Sequence, residues 1–325
     1  MDSFTSHGGR LDAAMRAWPG APAPWIDLST GINPRPYPAP RATRIARSRL
    51  PLPSEITALE AAAAAAFGIA DPARVAATPG AETALRLLPH LLDVETVRTV
   101  RPTYASHADA WSRAGARLVS SDAEAAVVVV VNPNNPDGRL VEPDMLQAMA
   151  DGLAARDGWL VVDESFADTL PGASIAALSH PRMVVLRSFG KFYGLAGLRL
   201  GFVLGPPQLM RQVRARQGDW PVSADALAAG LAAYSDPDWT ARTRSRLTEE
   251  ASRLDAALCR GGFAIVGGTS LFRLAEADDA ADRFAALCAK GILTRPFAEQ
   301  PTWLRFGLPH PSVRARVGTV LGSFA

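Results

Sequence analysis

Between about residue 70 and residue 205, short apolar runs alternate with amphipathic stretches. Val75–Ala77, Val97–Val100, Val127–Val131, Leu160–Val162, Met183–Leu186 and Leu200–Leu204 read as strands, with Gly80–Leu92, Ala105–Arg113 and Pro143–Ala155 as the helices between them. Runs apolar at every position, rather than at every second one, suit strands covered on both faces. Strands of this kind separated by helices predict an α/β fold with a mostly parallel sheet sandwiched by helices. An alanine tract, 61–66, lies inside a further helix, Ile56–Phe67. Past 206 the pattern changes to long helices at Ala224–Tyr234 and Asp238–Arg260. Short strands then follow at Ser270–Leu274, Ile292–Arg295 and Trp303–Phe306, alternating with helices at 278–289 and 311–321, as in a smaller α+β unit. The proline-rich stretch Pro34–Pro40 bridges an N-terminal arm to the main body. The expected organisation is an arm with part of the small domain at 1–40, a large domain at 41–215 and a small C-terminal domain at 216–325.

Charge narrows the function classes. The 325 residues carry 34 basic and 32 acidic side chains, a net charge of +2, with no long single-sign block. That is not the footprint of a nucleic-acid binder. No apolar run reaches the ~18 residues of a membrane span, and the start lacks a signal-peptide pattern. Cys259 and Cys288 have neither metal-type spacing nor the number for a disulfide framework. His7, His90, His107, His180 and His310 show no zinc spacing, so no metal is expected. A cytoplasmic protein acting on a small molecule is the expectation. Lysine is scarce: Lys191 and Lys290 are the two in the chain.

Lys191 sits in SFGKFYGLAGLRLGF, 188–202, among aromatic, glycine and aliphatic residues directly after a strand. Desolvation and a nearby cation lower an amine's pKa from about 10.4 and make it nucleophilic. Arg199 supplies the cation if the chain doubles back. Such a lysine suits a Schiff base with a carbonyl substrate or with pyridoxal phosphate; the alternative is a surface lysine on a strand-to-helix loop. Lys290 has the simpler setting of a cation at a helix C-terminus. In VVDESF, 161–166, Asp163 ends a buried strand, and a buried carboxylate needs a partner. A protonated pyridinium nitrogen is one, and a helix-capping role is the other. VVVVVNPNNPDG, 127–138, runs a strand into a turn-rich loop that presents the Asn135 amide. In TPGAETALRLL, 78–88, Gly80 opens a helix whose first N–H groups favour phosphate, with Ser188 and Arg199 as side-chain partners. Ser188 and Lys191 also fit S-x-x-K, but the S-D-N and K-T-G companions of that acyl-transfer motif are missing, as are G-x-G-x-x-G and the P-loop.

In this order and spacing the four stretches resemble the pyridoxal-phosphate enzymes of the aspartate-aminotransferase fold (fold type I), class I/II. HGG at 7–9, DLSTGINP at 27–34 and the Lys191 segment most resemble the threonine-phosphate decarboxylase branch of cobalamin biosynthesis, with histidinol-phosphate aminotransferases as cousins. The resemblance implies pyridoxal 5'-phosphate linked to Lys191, with Asp163 on the ring nitrogen, Asn135 on the phenolic oxygen and Tyr104 stacked on the ring. It implies that Gly80, Ala81, Ser188 and Arg199 hold the cofactor phosphate. On the substrate side it implies Arg305, in WLRFGLP, as the carboxylate clamp, with Asn33 and His7 nearby and His7 on a substrate phosphate. The implied partner is a phosphorylated amino acid and the implied assembly a homodimer. The implied reaction is decarboxylation of O-phospho-L-threonine, with an aminotransferase as the alternative. Two positions depart from the pattern: Phe166 stands where many relatives have tyrosine, and LPLPSE, 50–55, lacks the tyrosine that relatives lend across the dimer.

Overall fold

The computed structural model describes residues 2–5, 7–170 and 172–324. They form two compact units. The larger contains Pro36–Asn135 and Arg139–Ala241; the smaller contains the chain up to Arg35, Pro136–Gly138 and the chain from Arg242.

Among the described residues the larger unit holds a seven-stranded sheet. Its order is Val75–Thr78, Gly201–Leu204, Met183–Ser188, Trp159–Asp163, Val127–Val131, Thr96–Thr99 and Arg117–Leu118. Gly201–Leu204 runs antiparallel to both neighbours and the other pairs are parallel. Val127–Val131 is buried at every residue, as its unbroken valine run predicts. Helices Ala81–Leu92, Ala105–Arg113 and Pro143–Ala154 lie where the pattern puts them, to within a residue. Helix Pro207–Gln217, too rich in arginine and glutamine to show in the hydrophobic pattern, buries Leu209, Met210 and Val213.

The expected break at 215 is not where the chain divides. Helix Ala224–Tyr234 packs on Pro53–Ala66 within the larger unit. A Cβ on Gly230 would come within 2.7 Å of Leu59 and 2.8 Å of Leu200. Alanine and glycine therefore make a face for close helix packing, and the division falls after Ala241.

The smaller unit has an antiparallel sheet in the order Arg295–Pro296, Trp303–Gly307, Phe272–Glu276, Ala264–Thr269, and a parallel pair, Ile26–Asp27 with Ile292–Leu293. The strand Ala264–Thr269 lay hidden in the sequence because it contains two glycines and pairs through a register shift. No helix among the described residues is long and apolar enough to cross a membrane.

Candidate active site

In the larger unit the register sets Val131 beside Asp163 and Asp163 beside Leu186. The segments carrying Asn135, Asp163 and Ser188–Lys191 therefore leave the sheet along one edge, the carboxyl ends of parallel strands, where ligands of open α/β sheets bind. Gly201, opposite both Ser188 and Thr78, brings Arg199 and Gly80 to the same edge.

Asp163 is buried there. One carboxylate oxygen lies 2.9 Å from His107 Nε2, and the other accepts from the Ser165 amide (2.9 Å) and hydroxyl (2.5 Å). Burial works against the charge, but hydrogen bonds from His107 and Ser165 outweigh it and hold the carboxyl below its ordinary value. The next helical turn, Ala167–Thr169, starts only after Phe166, so Asp163 is not its cap. His107, which sequence reasoning missed as a site residue, lies on the buried face of its helix with Ala110 and Trp111. Its signal was a histidine in an apolar stripe and a strand-end carboxylate in want of a partner.

Tyr104 begins the same helix and meets the His107 ring edge-on at 6.2 Å. Its hydroxyl donates to Glu82 at 3.2 Å, and burial together with that carboxylate pushes the phenol up. Asn134 ties the loop before Tyr104 to the loop that carries Asn135. Its amide nitrogen donates to the Pro102 carbonyl and its oxygen accepts from the Thr103 hydroxyl, both at 2.8 Å. Asn135 itself is buried.

Gly80 precedes helix Ala81–Leu92 with φ of +91°, a conformation natural to glycine. A Cβ there would lie 2.7 Å from Arg199 Nη2, and one on Gly201 would lie 2.4 Å from the Ala81 nitrogen. Two missing side chains thus open a cradle between a helix start and a guanidinium. Helix starts present N–H groups without intrahelical partners, so the cradle suits an anion. Gly201→Ala must push backbone against backbone. We expect it to lose about 1–3 kcal/mol, read as a lower Tm in calorimetry.

Lys191 is half-buried on the short helix Phe189–Phe192, between the buried Gly190 and Phe192, with its Nζ 5.8 Å from the Phe166 ring centre. The chain does double back: a Cβ on Gly190 would approach Ala196 Cα to 2.6 Å. Just before the lysine, the buried Arg187 bonds Glu164 Oε2 at 2.9 Å and Ser174 Oγ at 3.1 Å, pairs with Asp168, and covers the Phe67 ring at 4.4 Å. Burial disfavours its charge, yet Asp168 and Glu164 raise its pKa above the usual arginine value. Arg187→Met leaves two buried carboxylates without their cation. A loss of about 3–5 kcal/mol is expected in urea unfolding.

In the smaller unit Arg305 is buried on strand Trp303–Gly307, donating from Nη2 to the Ser29 carbonyl at 2.7 Å. Its register partner on the neighbouring strand is Arg295, also buried. Sequence reasoning missed Arg295, since the pairing of two strands ten residues apart is what sets the guanidiniums' backbones side by side. Asn33 is buried, its Oδ1 accepting from the Arg35 amide at 3.0 Å and from Arg246 Nη2 at 3.4 Å. His7 begins the His7–Gly8–Gly9 segment, which lies against Ser29. Among the described residues no three His, Cys, Asp or Glu side chains cluster as a metal site would require.

Fold and sequence together define a class: the chain belongs to the aminotransferase class I and II family, whose profile matches residues 26–315. Within the family it is similar to the threonine-phosphate decarboxylase of Pseudomonas aeruginosa, 42% identical over 93% of this chain and 92% of that one. It is also similar to the threonine-phosphate decarboxylase of a Sinorhizobium species, 39% identical over 93% and 92%. Its fold is shared with histidinol-phosphate aminotransferase from Sinorhizobium meliloti, a structure in complex with pyridoxal-5'-phosphate, at a TM-score of 0.84 and 22% identity over 97% of this chain and 94% of that one.

Proposed function

We propose that this chain is a pyridoxal-phosphate-dependent threonine-phosphate decarboxylase, releasing carbon dioxide from O-phospho-L-threonine to leave (R)-1-amino-2-propanol O-phosphate for cobalamin biosynthesis. The observation that carries the reading is the near-full-length similarity to enzymes of that name. The larger unit's residues fit the cofactor. The cradle of Gly80, Ala81 and Arg199, which a side chain at residue 80 would fill, takes the phosphate with Ser188. Asp163, held ionised, pairs with a protonated ring nitrogen, Asn135 bonds the phenolic oxygen and Tyr104 covers the ring. Lys191 presents the amine that bonds the aldehyde.

When bound, pyridoxal phosphate supplies a carbonyl for the substrate's amino group and a ring that takes up the electron pair left at Cα. The chain decides which bond yields that pair. Arg305, planar and bidentate, suits the substrate carboxylate, and Arg295 adds a second positive group for a substrate with two anionic ends. Asp163 keeps the ring nitrogen protonated by remaining charged itself. Lys191 would bond the cofactor's aldehyde and, as a free amine, would be the base available to return a proton to Cα. Asn33 and His7 complete the substrate side, with His7 on the phosphate.

The test is to incubate the loaded protein with O-phospho-L-threonine and follow carbon dioxide and keto-acid exchange together. Carbon dioxide without consumption of a 2-oxo acid is the expected result; conversion that depends on a keto acid would assign an aminotransferase instead. We also place the protein in the cytoplasm as a homodimer. Exposed Ile45, Leu50, Leu52 and Trp220 supply an apolar surface for a second copy, and Cys259 and Cys288 are free thiols. Sedimentation at the mass of one 34.4 kDa chain would refute the dimer.

A further inference from the structure

Three segments of the smaller unit meet at one buried serine. The Ser29 hydroxyl donates to Asp27 Oδ1 at 2.5 Å and accepts from the Gly9 amide at 2.7 Å. Its own amide donates to the same Asp27 oxygen at 2.8 Å, and its carbonyl accepts from Arg305 Nη2 at 2.7 Å. A hydroxyl has one hydrogen to give. Because Asp27 takes it, the lone pairs are left for Gly9, and the carboxylate fixes the direction of the contact.

The two glycines after His7 are needed for this arrangement. A Cβ on Gly8 would stand 2.3 Å from the Ser29 carbonyl oxygen, inside any contact real side chains make. Gly9 has φ of +78°, a conformation side-chain-bearing residues rarely adopt. The residue that orients Arg305 is therefore also the one on which the His7 segment is seated.

We propose that Ser29, braced by Asp27, is a positioning residue that joins the His7–Gly8–Gly9 segment and the Arg305 guanidinium into one anion-recognition surface for the substrate. The proposal rests on the reading of the substrate as a phosphorylated amino acid and deepens it. Ser29 touches no reacting atom. Its carbonyl sets the guanidinium, and its hydroxyl holds the Gly9 amide, two residues after His7. A substrate with a carboxylate and a phosphate carries two anionic groups in one small molecule, so holding the two recognition elements together favours it over singly charged amino acids.

The test uses the full cofactor-loaded chain, with inorganic phosphate as the probe and amide hydrogen exchange as an independent readout. Ser29→Ala keeps the carbonyl but removes the acceptor. Exchange at the Gly9 amide is expected to speed up by about tenfold or more and the phosphate dissociation constant to rise by about tenfold, the effect of one lost buried hydrogen bond. Exchange in Val127–Val131 should not change. Ser29→Thr, which restores a hydroxyl, should recover both values, whereas a loss of general packing would not be rescued. Gly8→Ala, which keeps the hydroxyl but must displace the segment, should weaken phosphate to a similar degree. Unchanged exchange at Gly9 in Ser29→Ala overturns the proposal, as does faster exchange with phosphate affinity unaltered, or a wild-type protein that does not bind phosphate. Carbon dioxide release from O-phospho-L-threonine by the wild type is scored separately, so failure of the reaction reading and failure of the Ser29 proposal are distinguishable.

Discussion

Lys191→Ala is expected to lower turnover of O-phospho-L-threonine by on the order of 10,000-fold, the upper range for removal of a positioned proton-transfer group. On the proposed reading the loss is large because one amine would carry two duties, the bond to the cofactor and the return of a proton to Cα. The amine is half-buried, its Nζ 5.8 Å from the Phe166 ring centre. Steady-state rates of the variant, with circular dichroism to confirm an intact fold, check this. Lys290→Ala is the matched control. Lys290 caps helix Ala280–Ala289 in the smaller unit, and its loss should leave turnover within about twofold, as surface substitutions usually do.

Asp163→Asn is expected to cost on the order of 100- to 1,000-fold in kcat, the scale for removing one preorganised electrostatic partner. Asparagine keeps the shape but cannot hold a proton on the ring nitrogen by charge. The pH dependence follows from the lowered pKa of Asp163. A carboxyl whose folded pKa is depressed contributes stability above its unfolded value, about 3.9, and loses it as the pH falls through the lower folded value. Wild-type stability should therefore show no step from Asp163 between neutrality and about pH 4. In the asparagine variant the corresponding acid loss below that point should be smaller. Urea unfolding across that range, alongside the kinetics, gives both results.

What could be read from the sequence was local. The valine run 127–131 announced a strand covered on both faces, and the carboxyl at its neighbour's end could be named because a buried Asp163 demands a partner. What escaped was the identity of partners brought together by the fold. His107 is 56 residues from Asp163, and no periodicity links an imidazole on one helix to a carboxylate on a strand. Arg295 joins Arg305 through strand register. Glu164, next to Asp163 in sequence, instead faces Arg187, whose charge it shares with Asp168. The HGG motif could be matched but not explained before Ser29 supplied the surface that excludes a Cβ at Gly8. The division after Ala241 was hidden because helix Ala224–Tyr234, though it follows the change in pattern, buries its small residues in the larger unit.

The most direct measurement is borohydride reduction of the wild-type, cofactor-loaded protein followed by peptide mapping. With two lysines in the chain the possible outcomes are few. A phosphopyridoxyl group is expected on the peptide carrying Lys191 and on no other. A stable adduct on Lys290 or at the N-terminus, with the Lys191 peptide unmodified, would contradict it.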